Sequence, residues 1–76
     1  MTLYNYISTN YGRIKEDIRY GLISTTIIRH FEVYCRYDYY RKAGNTVSNS
    51  VLCTSEDYKC NERWIYKVIK NMERDL

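Results

Sequence analysis

Not one residue in this chain of 76 is proline. Proline does most harm inside a helix, where it removes a hydrogen bond and its ring strikes the preceding turn. A proline-free chain is therefore open to long uninterrupted helices. The patterning points the same way. Apolar residues recur three and four positions apart, and β-branched residues do not alternate with polar ones over any long run. The sequence thus predicts an all-α fold: a small helical bundle of about four helices, in a single domain spanning residues 1–76. A chain this short supports one modest core, so each helix must give a face to it. At 45% hydrophobic residues the apolar content suits a folded chain. Ten tyrosines supply much of it, so many of the core walls are amphipathic.

Leu3, Tyr4 and Ile7 have helical spacing in a short piece that either frays or packs as a first small helix. Asn10-Tyr11-Gly12 reads as a turn or cap. Ile14, Ile18 and Leu22 then fall at steps of four, a short amphipathic helix over Arg13–Leu22 that Gly21 ends or loosens. Ser24 or Thr25 caps the longest helix, which runs to about Lys42. Ile27, Phe31, Tyr34, Cys35 and Asp38 share one side of it, with Ile28 and Tyr39 adjoining. Glu32 and Arg36 form an i, i+4 ion pair on its outside. Ala43-Gly44-Asn45 is the stop signal, with Gly44 suited to a left-handed backbone.

Asn45 or Thr46 caps the next helix, whose stripe is Val47, Val51, Ser55 and Tyr58 with Leu52 beside it. Thr54-Ser-Glu-Asp57 also reads as a capping box, which would move the start to Ser55. The start near Val47 is preferred, because it puts Val51 and Leu52 to use. Asn61 caps the last helix, expected to run to the C-terminus. Ile65, Val68, Ile69 and Met72 form its apolar stripe. Arg63, Lys67, Lys70 and Arg74 lie between them, so this helix has a core face and a basic face.

Two helices that cross steeply need a small residue where they meet, and Ser55 provides one. The turn needs an apolar plug, which Cys60 supplies as a small hydrophobe. Asn61 caps the second helix, and Ile65 and Val68 follow it by four and seven places. Over Val51–Met72 this spacing resembles the helix-turn-helix of bacterial transcription regulators, phage proteins and resolvases. The run Cys60-Asn-Glu-Arg-Trp-Ile-Tyr-Lys-Val-Ile-Lys70 resembles the opening of their recognition helices. Lys59 stands where glycine commonly permits the turn. Trp64 stands where threonine is common, and is expected half-buried against the preceding helix.

The resemblance implies a helix-turn-helix over about residues 47–74 and double-stranded DNA as the partner. Asn61, Glu62, Arg63, Tyr66 and Lys67 would then enter the major groove. Arg63 would pair with guanine, Asn61 with adenine and Glu62 with cytosine N4. Lys67, Lys70 and Arg74 would meet phosphates, and Lys59 and Ser55 would donate to the DNA backbone. Transcription regulation, or DNA handling by a phage or mobile element, is the implied role. Single units of this kind usually read paired half-sites, so a homodimer is compatible with it, through the Tyr-rich long helix.

Other classes have less support. Twelve Lys and Arg against nine Asp and Glu give a net charge of +3, which permits nucleic-acid binding without demanding it. Cys35, Cys53 and Cys60 are odd in number and form no CxxC pair, so neither a disulfide framework nor a metal site is expected, and a reducing cytoplasm is. Met1–Ile7 lacks the features of a signal peptide, and the run from Ile23 to Ile28 is too short to span a bilayer, so no membrane partner is expected. His30 is the sole histidine, at no triad or ligand spacing, and is expected to be structural or exposed. Gly12, Gly21 and Gly44 are too far apart for a phosphate loop. No enzyme activity, cofactor or small-molecule ligand is therefore expected. The alternative from another class is a helical protein-interaction module with a Tyr-rich surface. Tyr34, Tyr37, Tyr39 and Tyr58 are expected as core walls with their hydroxyls in water.

Overall fold

The computed structural model describes residues 1–21 and 24–76; Leu22, the last member of the Ile14 stripe, and Ile23 lie outside the described residues. Within these, five helices follow one another: α1 Leu3–Thr9, α2 Tyr11–Arg19, α3 Thr25–Lys42, α4 Val47–Tyr58 and α5 Glu62–Met72. The fold is all-α, with one helix more than the four the patterning suggests. The extra one is α1, which packs rather than frays because Leu3 and Ile7 are buried. Among the described residues no helix is long and apolar enough to cross a membrane.

Short polar side chains start four of the helices. Thr2 Oγ1 accepts from the Asn5 N–H, Ser24 Oγ from Thr26, Thr46 Oγ1 from Asn49 and Asn61 Oδ1 from Trp64, at 2.8–3.2 Å. Each satisfies a backbone donor that the first turn leaves without a partner. Asn10 joins α1 to α2 without such a bond; its Nδ2 donates backwards to the Tyr6 carbonyl at 2.9 Å. Thr54 lies inside α4 and its hydroxyl donates to the Ser50 carbonyl at 2.8 Å, so it opens no capping box. Gly44, at φ +99°, closes α3 in a backbone conformation that costs glycine nothing.

The helix α3 packs against both α4 and α5, which also pack on each other, while α1 touches α2 and α5. Val33, Val51, Ile65, Val68, Met72 and Ile7 are fully buried at the centre, with Leu3, Ile14, Tyr34 and Tyr37 around them. The expected phase of α4 is partly wrong. Val51 and Ser55 are buried, but Val47 and Leu52 are 41% and 42% exposed. Ser50 and Thr54 are fully buried instead. The face of α4 that meets its neighbours is thus lined by small residues, which let backbones come close.

On α3 the buried face is centred nearer Val33 and Tyr37 than expected, because α4 and α5 cover that side. The aromatic side faces α1 and α2: Tyr4 lies 5.5 Å from Phe31 and 4.7 Å from Tyr34 between ring centroids, and Tyr11 lies 5.3 Å from Phe31. Offset rings at these separations add to area burial. Tyr34 does not keep its hydroxyl in water; it donates to Glu73 Oε2 at 2.8 Å. Tyr39 is no core wall, being 61% exposed. Arg36 pairs with Asp57 of α4 at 3.7 Å, not with Glu32, since the last turn of α4 runs beside it. Asp38, expected on the apolar side, pairs with Lys42 at 2.8 Å.

The helix α5 stops at Met72 instead of continuing to the end. Residues beyond it turn to meet the first residues of the chain. Leu3 N–H donates to the Arg74 carbonyl and Leu76 N–H to the Met1 carbonyl, both at 2.9 Å, around an antiparallel bridge between Thr2 and Asp75. Those pairings replace the helical hydrogen bonds that another turn would have made.

Candidate functional site

The last two helices meet at a tight reversal. Lys59 adopts the left-handed conformation, φ 53° and ψ 47°. Its N–H donates to the Glu56 carbonyl at 3.3 Å, and the Cys60 N–H reaches the Ser55 carbonyl at 3.0 Å. These two bonds close a helix end in the manner usual for a glycine at that place. Here a lysine carries the strain of a left-handed L-residue. Cys60 packs against the core in the turn, and Asn61 begins α5 directly after it.

A helix advances about 100° per residue, so residues four, three and four apart stay on one face. Arg63, Lys67, Lys70 and Arg74 have that spacing, and all are exposed. Ile65, Val68 and Met72, fully buried, hold the opposite face. Lys67, Lys70, Asn71 and Arg74 line an open groove of about 460 Å³. Arg74 lies past the last helical residue, contrary to expectation, yet it reaches the same groove. Asn61, Glu62 and Tyr66 are exposed at the start of the helix. The structure thus puts Asn61, Glu62, Arg63, Tyr66, Lys67, Lys70 and Arg74 at the surface of α5 and its two ends.

The cations of this face find no carboxylate among the described residues of the chain. Among the described residues the ion pairs are Met1–Asp75, Arg36–Asp57 and Lys42–Asp38. None of the four cations on the α5 face takes part. Glu73, next in sequence to Arg74, turns to α3 and accepts the Tyr34 hydroxyl. Burial, and then the bond to the Glu73 carboxylate, push the Tyr34 phenol well above its ordinary pKa. Glu62 sits in the first turn, where a carboxylate complements the helix dipole. Ser55 is buried and its hydroxyl donates to the Leu52 carbonyl at 2.7 Å, so it does not serve as the surface donor the sequence suggested.

Trp64 is half-buried, but its ring partners come from α3. His30 meets it edge-on at 5.5 Å, and the Arg29 guanidinium stands over it at 5.8 Å. Burial, and secondarily Arg29, hold the His30 imidazole below its ordinary pKa. Sequence reasoning missed both this contact and the Tyr34–Glu73 bond. Each joins residues more than thirty positions apart, and helical periodicity carries no information across such separations.

Among the described residues no group of histidine, cysteine and carboxylate side chains could hold a metal ion, and the three cysteines are unpaired. Comparison of the chain with protein-family models, curated proteins and solved structures found no match.

Proposed function

We propose that α4, the Lys59–Asn61 turn and α5 act as a helix-turn-helix, and that the chain binds double-stranded DNA by laying α5 in the major groove. One observation carries the reading: Arg63, Lys67 and Lys70 share the outer face of α5, opposite its core face, Arg74 joins them just past its end, and none is engaged by a carboxylate of the chain. Like charges left together and unpaired favour an anionic partner, and duplex DNA presents its phosphates at regular short intervals. The major groove is about 12 Å wide and admits a helix. Arg63, Asn61 and Glu62 are suited to base edges at the start of α5, with Tyr66 beside them. Lys67, Lys70 and Arg74 are suited to phosphates. Transcription regulation, or phage and mobile-element DNA handling, would use such a module, and two copies would read paired half-sites.

The test is fluorescence anisotropy of a labelled duplex over a series of salt concentrations. Affinity is expected to fall linearly with salt on logarithmic axes. Replacing Arg63 and Lys67 together by alanine removes one base contact, worth about 1–3 kcal/mol, and one phosphate contact, which should weaken binding by more than about tenfold near 0.1 M salt and flatten the slope by about one. The melting temperature of this variant should stay unchanged, since both side chains are exposed. Absence of duplex binding even at low salt would reject this reading. The exposed Tyr20 and Tyr39 would then favour a protein-interaction module instead.

A further inference from the structure

We propose that Arg29 of α3 is a further duplex-contacting residue, gripping a backbone phosphate beside the α5 ridge, with Trp64 as the positioning residue that holds its guanidinium. This rests on the duplex-binding reading above. The Arg29 guanidinium lies 5.8 Å from the centre of the Trp64 ring, at a cation–π distance. Arg29 is exposed, and none of the three ion pairs among the described residues includes it. A guanidinium resting on an aromatic ring keeps its planar donor edge open, and that edge matches a phosphate two bonds at a time. Held this way it has already lost much of its rotamer freedom, so less is lost on binding.

Position decides which partner it serves. Trp64 precedes Lys67 by three residues and Asn71 by seven, so the indole flanks the edge of α5 on which those two stand. Lys67 and Asn71 line the groove with Lys70 and Arg74. The basic surface therefore runs from Arg74 along α5, past Lys67, and crosses through Trp64 onto α3. A helix in a major groove is flanked on each side by a phosphate strand, and a cation on a neighbouring helix is the group placed to meet one of them. His30 supports the arrangement from below, its ring edge-on to the indole at 5.5 Å.

Arg29→Gln keeps the stem and removes the charge. In the intact chain, with a labelled duplex of mixed sequence, it should weaken binding about tenfold near 0.1 M salt and lower the salt slope by about one. Arg29→Lys should retain most of that slope. Trp64→Phe, which keeps a ring beneath the guanidinium, should stay near the wild type. Trp64→Leu should lose affinity although Arg29 is present. Circular-dichroism melting of Arg29→Gln should match the wild type. A wild-type affinity and slope for Arg29→Gln, with Lys67→Ala impaired, would overturn the assignment and leave duplex binding standing. Failure of the wild-type chain to bind duplex at low salt would remove both.

Discussion

The second half of α3 and the outer face of α5 carry similar numbers of cations but treat them in opposite ways. On the second half of α3, Arg36 reaches Asp57, Lys42 reaches Asp38, and Arg41 Nη1 donates to the Asn45 carbonyl at 2.9 Å. These bonds tie the long helix to α4 and to its own C-terminal end. On α5 the three outward cations, and Arg74 just past its end, have no carboxylate, and Glu73 at its C-cap faces α3. The same residue types thus serve cohesion along the second half of α3 and stand free on α5. Exposed ion pairs contribute little to stability, often under 1 kcal/mol. Their location still marks which charges are engaged within the chain and which are left for something outside it.

The largest expected effect tests whether α5 really has its basic face turned outwards. Ile65 is fully buried at the middle of the opposite face. Ile65→Ala should cost about 2–5 kcal/mol, by lost transfer energy and the cavity left behind. In a domain of this size that is a shift of many degrees in the thermal midpoint. Lys70→Ala, on the outward face, should change it by less than about 0.5 kcal/mol. Two equal shifts would mean the helix is rotated and the comparison with α3 is misdrawn.

A smaller effect concerns the bond that keeps Glu73 off the basic face. Tyr34→Phe removes the hydroxyl at 2.8 Å from Glu73 and should cost about 1 kcal/mol at neutral pH. It also has a pH signature. The folded Tyr34 phenol is held above its ordinary pKa by burial and by Glu73, so the fold favours its neutral form. That stability is fully present below about pH 10, where an unfolded tyrosine is still neutral, and it is lost as the pH rises above that value. Urea denaturation across pH 8–11 should show the wild type weakening more steeply than Tyr34→Phe. Parallel curves would show that the hydroxyl is not buried against the carboxylate.

How far the sequence reached differs between the two helices for a physical reason. On α5 the apolar and basic residues segregate within one short helix, so periodicity alone located Ile65, Val68 and Met72 and the exposed cations. On α3 and α4 the face is chosen by several neighbours at once. Ser50 and Thr54 are buried through helix packing that their own hydrophobicity does not announce, and Val47 and Leu52 stay out although apolar. Caps were legible because they are local, as at Ser24, Thr46 and Asn61. Partners far apart in sequence were not: Arg36 with Asp57, Tyr34 with Glu73, Arg29 with Trp64. The end of α5 was misjudged because residues 74–76 pair with residues 1–3.

The smallest expected effect sharpens the contrast at the helix ends. Gly44 closes α3 and Lys59 closes α4, both at positive φ. Glycine takes that conformation freely, whereas for lysine its Cβ crowds the following carbonyl. Lys59→Gly should therefore stabilise the fold by about 0.5–1 kcal/mol, part of the strain relief being offset by greater freedom of the unfolded chain. The thermal midpoint should rise by a few degrees. The Lys59 side chain is exposed next to the start of α5, where its charge can serve a partner. Under the duplex-binding reading Lys59→Gly should then melt higher and bind duplex several-fold more weakly near 0.1 M salt. A variant that melts higher with unchanged affinity would place Lys59 outside the interface and would narrow the binding surface to α5, Arg74 and Arg29.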